Sequence, residues 1–208
     1  MKKILIISDG IPGHFNQSKG VASLLTNKHS AETRIIDLQF RSRYLRGLTT
    51  VFSRLLMRFP SSSTAKIISF LYKKIDTTGL DLIIAAGGKT APYTAALRIL
   101  KKIPVIQLGS PRGLHSSLFD ALVTVERYYE DSSNIIASIT PSIYSPEVCE
   151  QAAEYKGLKE HLLFLIGGEG IGYSYKEDEW EDLIKVIKQL HKTTNLPITI
   201  VTSRRSDP

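Results

Sequence analysis

Three glycine-rich turns carry the residue types best suited to chemistry. The first reads Ser8-Asp9-Gly10-Ile11-Pro12-Gly13-His14-Phe15-Asn16-Gln17-Ser18, the second Gly87-Gly88-Lys89-Thr90, and the third Gly167-Gly168-Glu169-Gly170-Ile171-Gly172. Glycine admits positive φ and close approach of a ligand, and a helix that starts after such a turn offers unpaired N–H groups to an anion. In the first turn His14 suits a general base or hydrogen-bond donor, and Asp9 is grouped with it as a catalytic candidate. Asn16 reads as the N-cap of a following helix. Gly10, Gly13, Asn16 and Gln17 are candidates for substrate binding. An ordinary tight strand-to-helix turn with a solvated histidine is the competing reading. Gly87, Gly88, Lys89 and Thr90 suit a backbone anion nest beside a cation. Gly167 and Gly168 can hold a diphosphate through backbone donors, a role that Glu169 opposes unless it points away.

Better-known chemistries are absent from these turns. A P-loop needs glycine at position 83, which is Ile83, and the dinucleotide fingerprint needs glycine at 173, which is Tyr173. There is no Gly-x-Ser-x-Gly elbow, and the five histidines (14, 29, 115, 161 and 191) are scattered, so no metal is expected. The acidic run Glu177-Asp178-Glu179-Glu181-Asp182 reads as a helix start that favours the macrodipole. A single cysteine, Cys149, excludes an internal disulfide framework and suits a reducing cytosol.

Short apolar runs position the turns. Strands are expected over 3–8, 33–38, 81–86, 104–108, 121–125, 135–139, 162–166 and 197–202. Helices are expected over 16–28, 44–59, 62–75, 90–102, 146–158 and 177–192. The continuous apolar runs at 4–7, 82–86 and 162–166 fit strands buried on both faces of a parallel sheet. The alternation predicts a doubly wound, Rossmann-like α/β architecture. Pro and Ser punctuate residues 140–160. The reading is therefore an N-terminal Rossmann-like domain over 1–145, a linker or helix over 146–160, and the first β-α-β of a second Rossmann-like domain over 161–208. Two strands and one helix cannot build an independent core, so the chain reads as the front part of a larger two-domain protein.

The formal net charge is +7, but eight basic and no acidic residues lie between positions 41 and 75, and the remaining 173 residues are nearly neutral. That concentration argues against nucleic-acid binding, which spreads cations along a whole face. On a helix, Arg43, Arg46, Arg54 and Arg58 fall within about 120° of one another, with Leu45, Leu48, Val51, Phe52, Leu55, Leu56 and Phe59 on the opposite arc. Two readings follow: crossover helices with the apolar arc on the sheet and a solvated basic face, or a surface for anionic lipid or an anionic acceptor. No apolar run approaches the ~18–20 residues of a membrane span. The expected location is the cytoplasm, or the periphery of the inner membrane face.

The run Ser8-Asp9-Gly10-x-Pro12-Gly13-His14-x-Asn16-Gln17-Ser18-x-Gly20 resembles the opening signature of the ELM-type (elongated mitochondria, mitochondrial fission) family, whose many bacterial members are described as glycosyltransferases. The likeness continues through Gly87-Gly88-Lys89-Thr90-Ala91, Ser110-Pro111-Arg112, Phe119-Asp120, Asn134-Ile135-Ile136, Leu165-Ile166-Gly167-Gly168 and Thr202-Ser203-Arg204-Arg205. It departs at Val125-Glu126-Arg127-Tyr128 and at Glu169-Gly170. The resemblance implies a GT-B architecture, with acceptor in the N-terminal domain and nucleotide-sugar donor chiefly in the C-terminal one. It implies that Gly167, Gly168, Ser203, Arg204 and Arg205 face the donor diphosphate. The donor is then a substrate, with no cofactor, and the acceptor is a cell-envelope glycan or a lipid-linked one. It also implies a longer C-terminal domain, without which the chain is expected to be inactive. A non-enzymatic membrane-associated factor and a sugar-nucleotide epimerase are the alternatives.

Overall fold

The computed structural model describes residues 1–144, 148–150, 160–168 and 174–203. The chain divides into two compact units, Met1–Val148 and Cys149–Pro208.

The first unit is a six-stranded parallel sheet. Its strands are β1 (Lys2–Ser8), β2 (Ala31–Asp37), β3 (Leu82–Ala86), β4 (Val105–Leu108), β5 (Ala121–Thr124) and β6 (Asn134–Ile136), in the order β2-β1-β3-β4-β5-β6. Side chains alternate across the sheet, so β1 feeds two cores at once. Leu5 and Ile7 join Ile83, Ala85, Leu56, Ile68 and Tyr93 on one face; Ile4 and Ile6 join Ile84, Ala86, Leu108 and Ala22 on the other. The first core receives α2 (Leu48–Arg58), α3 (Ser62–Leu71) and α4 (Ala91–Lys101), and the second receives α1 (Pro12–Lys28). The apolar runs at 4–7 and 83–86 are thus buried on both faces, as their composition requires, with Leu82 half-buried at the strand start. Gly20 of α1 lies against the backbone of Ser142, where a methyl group would collide. Its place in the opening signature therefore has a packing reason.

Three helix boundaries differ from the sequence reading. Helix α1 begins at Pro12, not at residue 16, because proline at the first helical position has its φ preset and needs no N–H partner. Gly13 and His14 are therefore helical, and Ile11, not Asn16, is the N-cap. The stretch expected as one helix over 44–59 is a 3-10 turn (Arg43–Gly47) continued by α2. Helix α3 stops at Leu71, so Lys73, Lys74 and Ile75 lie beyond it; its start is held by a capping box between Ser61 and Thr64. The expected helix over 146–158 lies mostly outside the described residues.

The second unit pairs β7 (Leu162–Ile166) with β8 (Ile198–Thr202) in parallel, joined through α5 (Glu177–Thr194). Here the sequence reading needs correction: 162–166 is not buried on both faces. Leu163 and Leu165 are exposed, the latter to 73%, and so are Ile200 and Val201. Two strands and one crossover helix do not supply two covering layers.

Candidate functional site

The strand order reverses between β1 and β3, and in open α/β sheets ligands gather outside the carboxyl ends of the strands at such a switch point. The first two glycine turns leave the sheet there. In the first, His14 Nδ1 lies 3.0 Å from Asp9 Oδ2 and 3.2 Å from Oδ1. A carboxylate only accepts, so Nδ1 donates and Nε2 is left as the acceptor nitrogen of the neutral ring. The Asp9 side chain is 3% exposed and that of His14 is 32% exposed: a buried carboxylate holds a reachable imidazole. Asp9 Oδ1 also accepts from the Ile11 N–H at 3.1 Å, and Ser8 Oγ accepts from the Gly10 N–H at 3.0 Å. These two amides are therefore engaged within the turn. Gly10 lies in the turn itself and Gly13, Asn16 and Gln17 in the first turns of α1, and none of the four lines the cleft beside Asp9.

The second turn abuts the first. Gly87 has φ 83°, and a Cβ there would overlap the His14 ring. The turn is pinned from beneath: Gln107 Nε2 donates to the Gly87 carbonyl at 3.0 Å, and the Thr90 hydroxyl donates to the same oxygen at 2.8 Å. Thr94 Oγ1 donates to Gln107 Oε1 at 3.0 Å, which closes a buried network. Thr90 is fully buried, so its hydroxyl holds the turn and does not face a ligand. Across Gly88 lies the side chain of Arg112, whose own φ of 51° is unusual for a residue with a Cβ. Among the described residues the Gly88 and Lys89 amides have no protein acceptor.

Beside Asp9 opens a cleft of about 630 Å³. Its floor includes Leu38, Phe40, Tyr72 and Leu114; its polar lining includes Arg46, Thr49, Thr50, Ser53, Arg54, Lys89 and Arg112. Burial pushes the Tyr72 phenol above the ordinary tyrosine range, and its ring stacks on Phe40 at 4.6 Å. Arg46, Thr49, Thr50, Ser53 and Arg54 recur at helical spacing, so one face of the 3-10 turn and α2 forms this wall. Sequence reasoning missed Thr49, Thr50 and Ser53 as site residues, although that spacing is visible in the sequence. It also left Arg112 out of the site, because only the fold brings that residue over Gly88.

The four arginines expected on one surface separate. Arg46 and Arg54 line the cleft. Arg43 lies over the Tyr44 ring at 4.9 Å and Arg58 over Phe59 at 5.7 Å, outside it. Nor does the apolar arc rest wholly on the sheet. Leu56 is buried and Leu45 and Phe52 pack on the core, whereas Leu48, Val51 and Phe59 are exposed, together with Tyr44, Ile67 and Phe70. Helix α2 rims the cleft and leans on α3, so only a narrow stripe of it reaches the core.

In the second unit Gly167 and Gly168 follow β7 and Ser203 follows β8; the register Ile166–Thr202 brings them to the same sheet edge. Arg204, Arg205 and Glu169–Gly170–Ile171–Gly172 lie outside the described residues. Among the described residues no group of three His, Cys, Asp or Glu is placed to hold a metal, and no helix is long and apolar enough to cross a membrane.

Several solved structures are similar to this chain. UDP-GlcNAc 2-epimerase from Methanocaldococcus jannaschii is 10% identical, with a TM-score of 0.53 over 99% of this chain and 67% of that one. MurG from Acinetobacter baumannii (16% identity, TM-score 0.43) matches over 98% of this chain and 60% of its own. Arabidopsis thaliana UGT89C1 complexed with UDP (10% identity, TM-score 0.44) matches over 99% and 66%. Of these three the first is close enough to bear on the fold, which is α/β and Rossmann-like in the manner of GT-B proteins. The chain spans about three fifths to two thirds of the length of these structures. No curated protein matches the sequence. The model of the mitochondrial fission ELM1 family matches residues 12–208, including the helical half of the first turn and both later turns. The chain therefore belongs to the mitochondrial fission ELM1 family.

Proposed function

We propose that the protein is a metal-independent glycosyltransferase, or the acceptor-binding part of one. It moves a sugar from a nucleotide-sugar donor to a lipid-linked or envelope-glycan acceptor at the cytoplasmic face of a membrane. The Asp9–His14 pair at the switch point carries this reading. His14 Nε2 takes the proton of the acceptor hydroxyl as that oxygen bonds to the anomeric carbon, and the nucleoside diphosphate leaves with the electron pair of the broken bond. Asp9 is a positioning residue that holds the ring by Nδ1. In the second unit Gly167, Gly168, Ser203, Arg204 and Arg205 are assigned to the departing diphosphate, where backbone donors and cations stabilise developing charge. The test is UDP release from UDP-N-acetylglucosamine and other UDP-sugars in the presence of a membrane lipid extract. His14→Ala should lower turnover about 100-fold or more with donor affinity kept. Asp9→Asn should lower kcat about tenfold or more without raising KM, and Asp9→Glu should restore part of it. Acceptor-dependent turnover that ignores His14→Ala would remove the imidazole from the mechanism.

The neighbour named as a UDP-GlcNAc 2-epimerase supports a second reading, a reaction on the nucleotide sugar alone. Product formed without lipid extract, with solvent deuterium entering the sugar, would favour it over transfer. For the membrane, the support is the exposed Tyr44, Leu48, Val51, Phe59, Ile67 and Phe70 flanked by Arg43, Arg58 and Lys66. Such a face suits the interface of an anionic bilayer. The protein should sediment with phosphatidylglycerol-containing vesicles, and Val51→Asp with Phe70→Asp should abolish this. Vesicle binding without turnover on any donor would leave the non-enzymatic factor as the better reading.

A further inference from the structure

The unit-1 cleft holds four cations from three separate segments: Arg46 and Arg54 from the 3-10 turn and α2, Lys89 from the turn after β3, and Arg112 from the loop after β4. Four other cations of the basic segment are matched, with Arg41 over the Phe70 ring at 4.4 Å, Arg43 and Arg58 over the neighbouring Tyr44 and Phe59 rings, and Lys73 donating to Gln39 at 2.8 Å. In contrast, among the described residues none of the four cleft side chains has an ion pair, a hydrogen bond or an aromatic partner. The one carboxylate in the lining, Asp9, is engaged by His14 and the Ile11 amide. Converging like charges repel, and they repel more in a half-enclosed cleft than in open water. Such an arrangement suits an anion of more than one charge. The donors match phosphate oxygens: three guanidiniums, a lysine, the Thr50 hydroxyl, and the Gly88 and Lys89 amides, while the Thr49 and Ser53 hydroxyls donate within the helix wall. The floor of Leu38, Phe40, Tyr72 and Leu114 gives the bound group an apolar side as well.

We infer that this cleft binds a diphosphate group carried by the acceptor, so that the acceptor is a diphosphate ester of a lipid or of a soluble alcohol. The inference rests on reading the first unit as the acceptor half of a transferase, and it names that acceptor's class. Its test is a binding measurement, so it stands apart from catalysis. Inorganic pyrophosphate is titrated calorimetrically into the whole chain at low salt. Binding is expected, and Arg46→Gln with Arg54→Gln should weaken it by about tenfold or more, since two charge-assisted contacts are lost. Lys28→Gln with Lys101→Gln removes the same charge elsewhere and should change it less than about twofold. Far-UV circular dichroism checks folding, and Arg46→Lys with Arg54→Lys should retain part of the affinity. Neutral phosphatidylcholine vesicles with and without farnesyl diphosphate separate the sources. Recruitment that needs the lipid and yields to pyrophosphate supports a lipid headgroup; pyrophosphate binding without recruitment supports a soluble diphosphate. No binding, or equal binding by the Arg46→Gln, Arg54→Gln protein, overturns the inference. Intact binding with no sugar transfer on any donor would count against the transferase reading and leave the site standing.

Discussion

At the residue scale, the chemistry turns on what two glycines leave open. Gly87 and Gly10 both have positive φ, 83° and 78°, yet only Gly87 faces a neighbour that a methyl group would strike, the His14 ring. Each should lose about 1 kcal/mol on change to alanine from backbone strain alone. Gly87→Ala should lose more in urea titration, and it alone should shift the imidazole resonances of His14. Equal losses with unmoved resonances would mean that the ring does not rest on the second turn. Gly88 plays the matching part for Arg112, whose aliphatic stem crosses the space where a Cβ would sit. The residues that define this corner are thus small because larger ones would expel the functional side chains.

Elements set which way those side chains face. One short helix, α2, serves three environments: Phe52 and Leu56 toward the core, Thr49, Thr50, Ser53 and Arg54 toward the cleft, and Leu48 and Val51 toward solvent. The turn before α4 is held by Gln107, and Gln107→Leu should cost about 1 kcal/mol, since it removes one donor to the Gly87 carbonyl and one acceptor of the Thr94 hydroxyl while both keep backbone or Thr90 partners. Asp120 ties α4 to the sheet through Arg98, at 2.8 and 3.1 Å, and through the Val105 amide. Burial pushes its carboxyl up, but Arg98 and the amide outweigh this and hold it below its ordinary value of 3.8. A carboxyl lowered on folding contributes its stability fully above that value and loses it as pH falls through the folded one. Arg98→Gln should therefore cost about 1 kcal/mol or less at pH 7, the pair being partly exposed, and still less near pH 3. Urea midpoints at the two pH values check this; an equal loss at both would assign Arg98 a packing role.

The whole molecule has an uneven core. The first unit buries side chains on both faces of its sheet, whereas among the described residues of the second only Ile187 is buried. Stability follows apolar burial, so the second unit should unfold first. The single tryptophan, Trp180, lies in α5 of that unit beside Tyr175 at 4.6 Å, while most helix and strand lies in the first. Tryptophan fluorescence should thus show a lower urea midpoint than far-UV circular dichroism. Coincident midpoints would show one cooperative unit instead.

The sequence by itself determined the elements and their class. Short apolar runs separated by helical patterns marked every described strand to within a few residues, and the parallel α/β sheet followed, because hydrophobic periodicity is a local property. It also marked the turns and the family. Where the local signals compete, it misled: Asn16 is a good cap residue, but Pro12 starts the helix earlier. Where burial depends on other layers, as at Leu163 and Leu165, an apolar run alone did not reveal that a face stays open. Only the tertiary structure decided which arginines share a cleft, that Thr90 is buried, and that His14 sits between Asp9 and Gly87. His14 and Gly87 are far apart along the chain. They meet because β3 pairs with β1 and not with β2, and strand order is settled by the packing of the whole sheet.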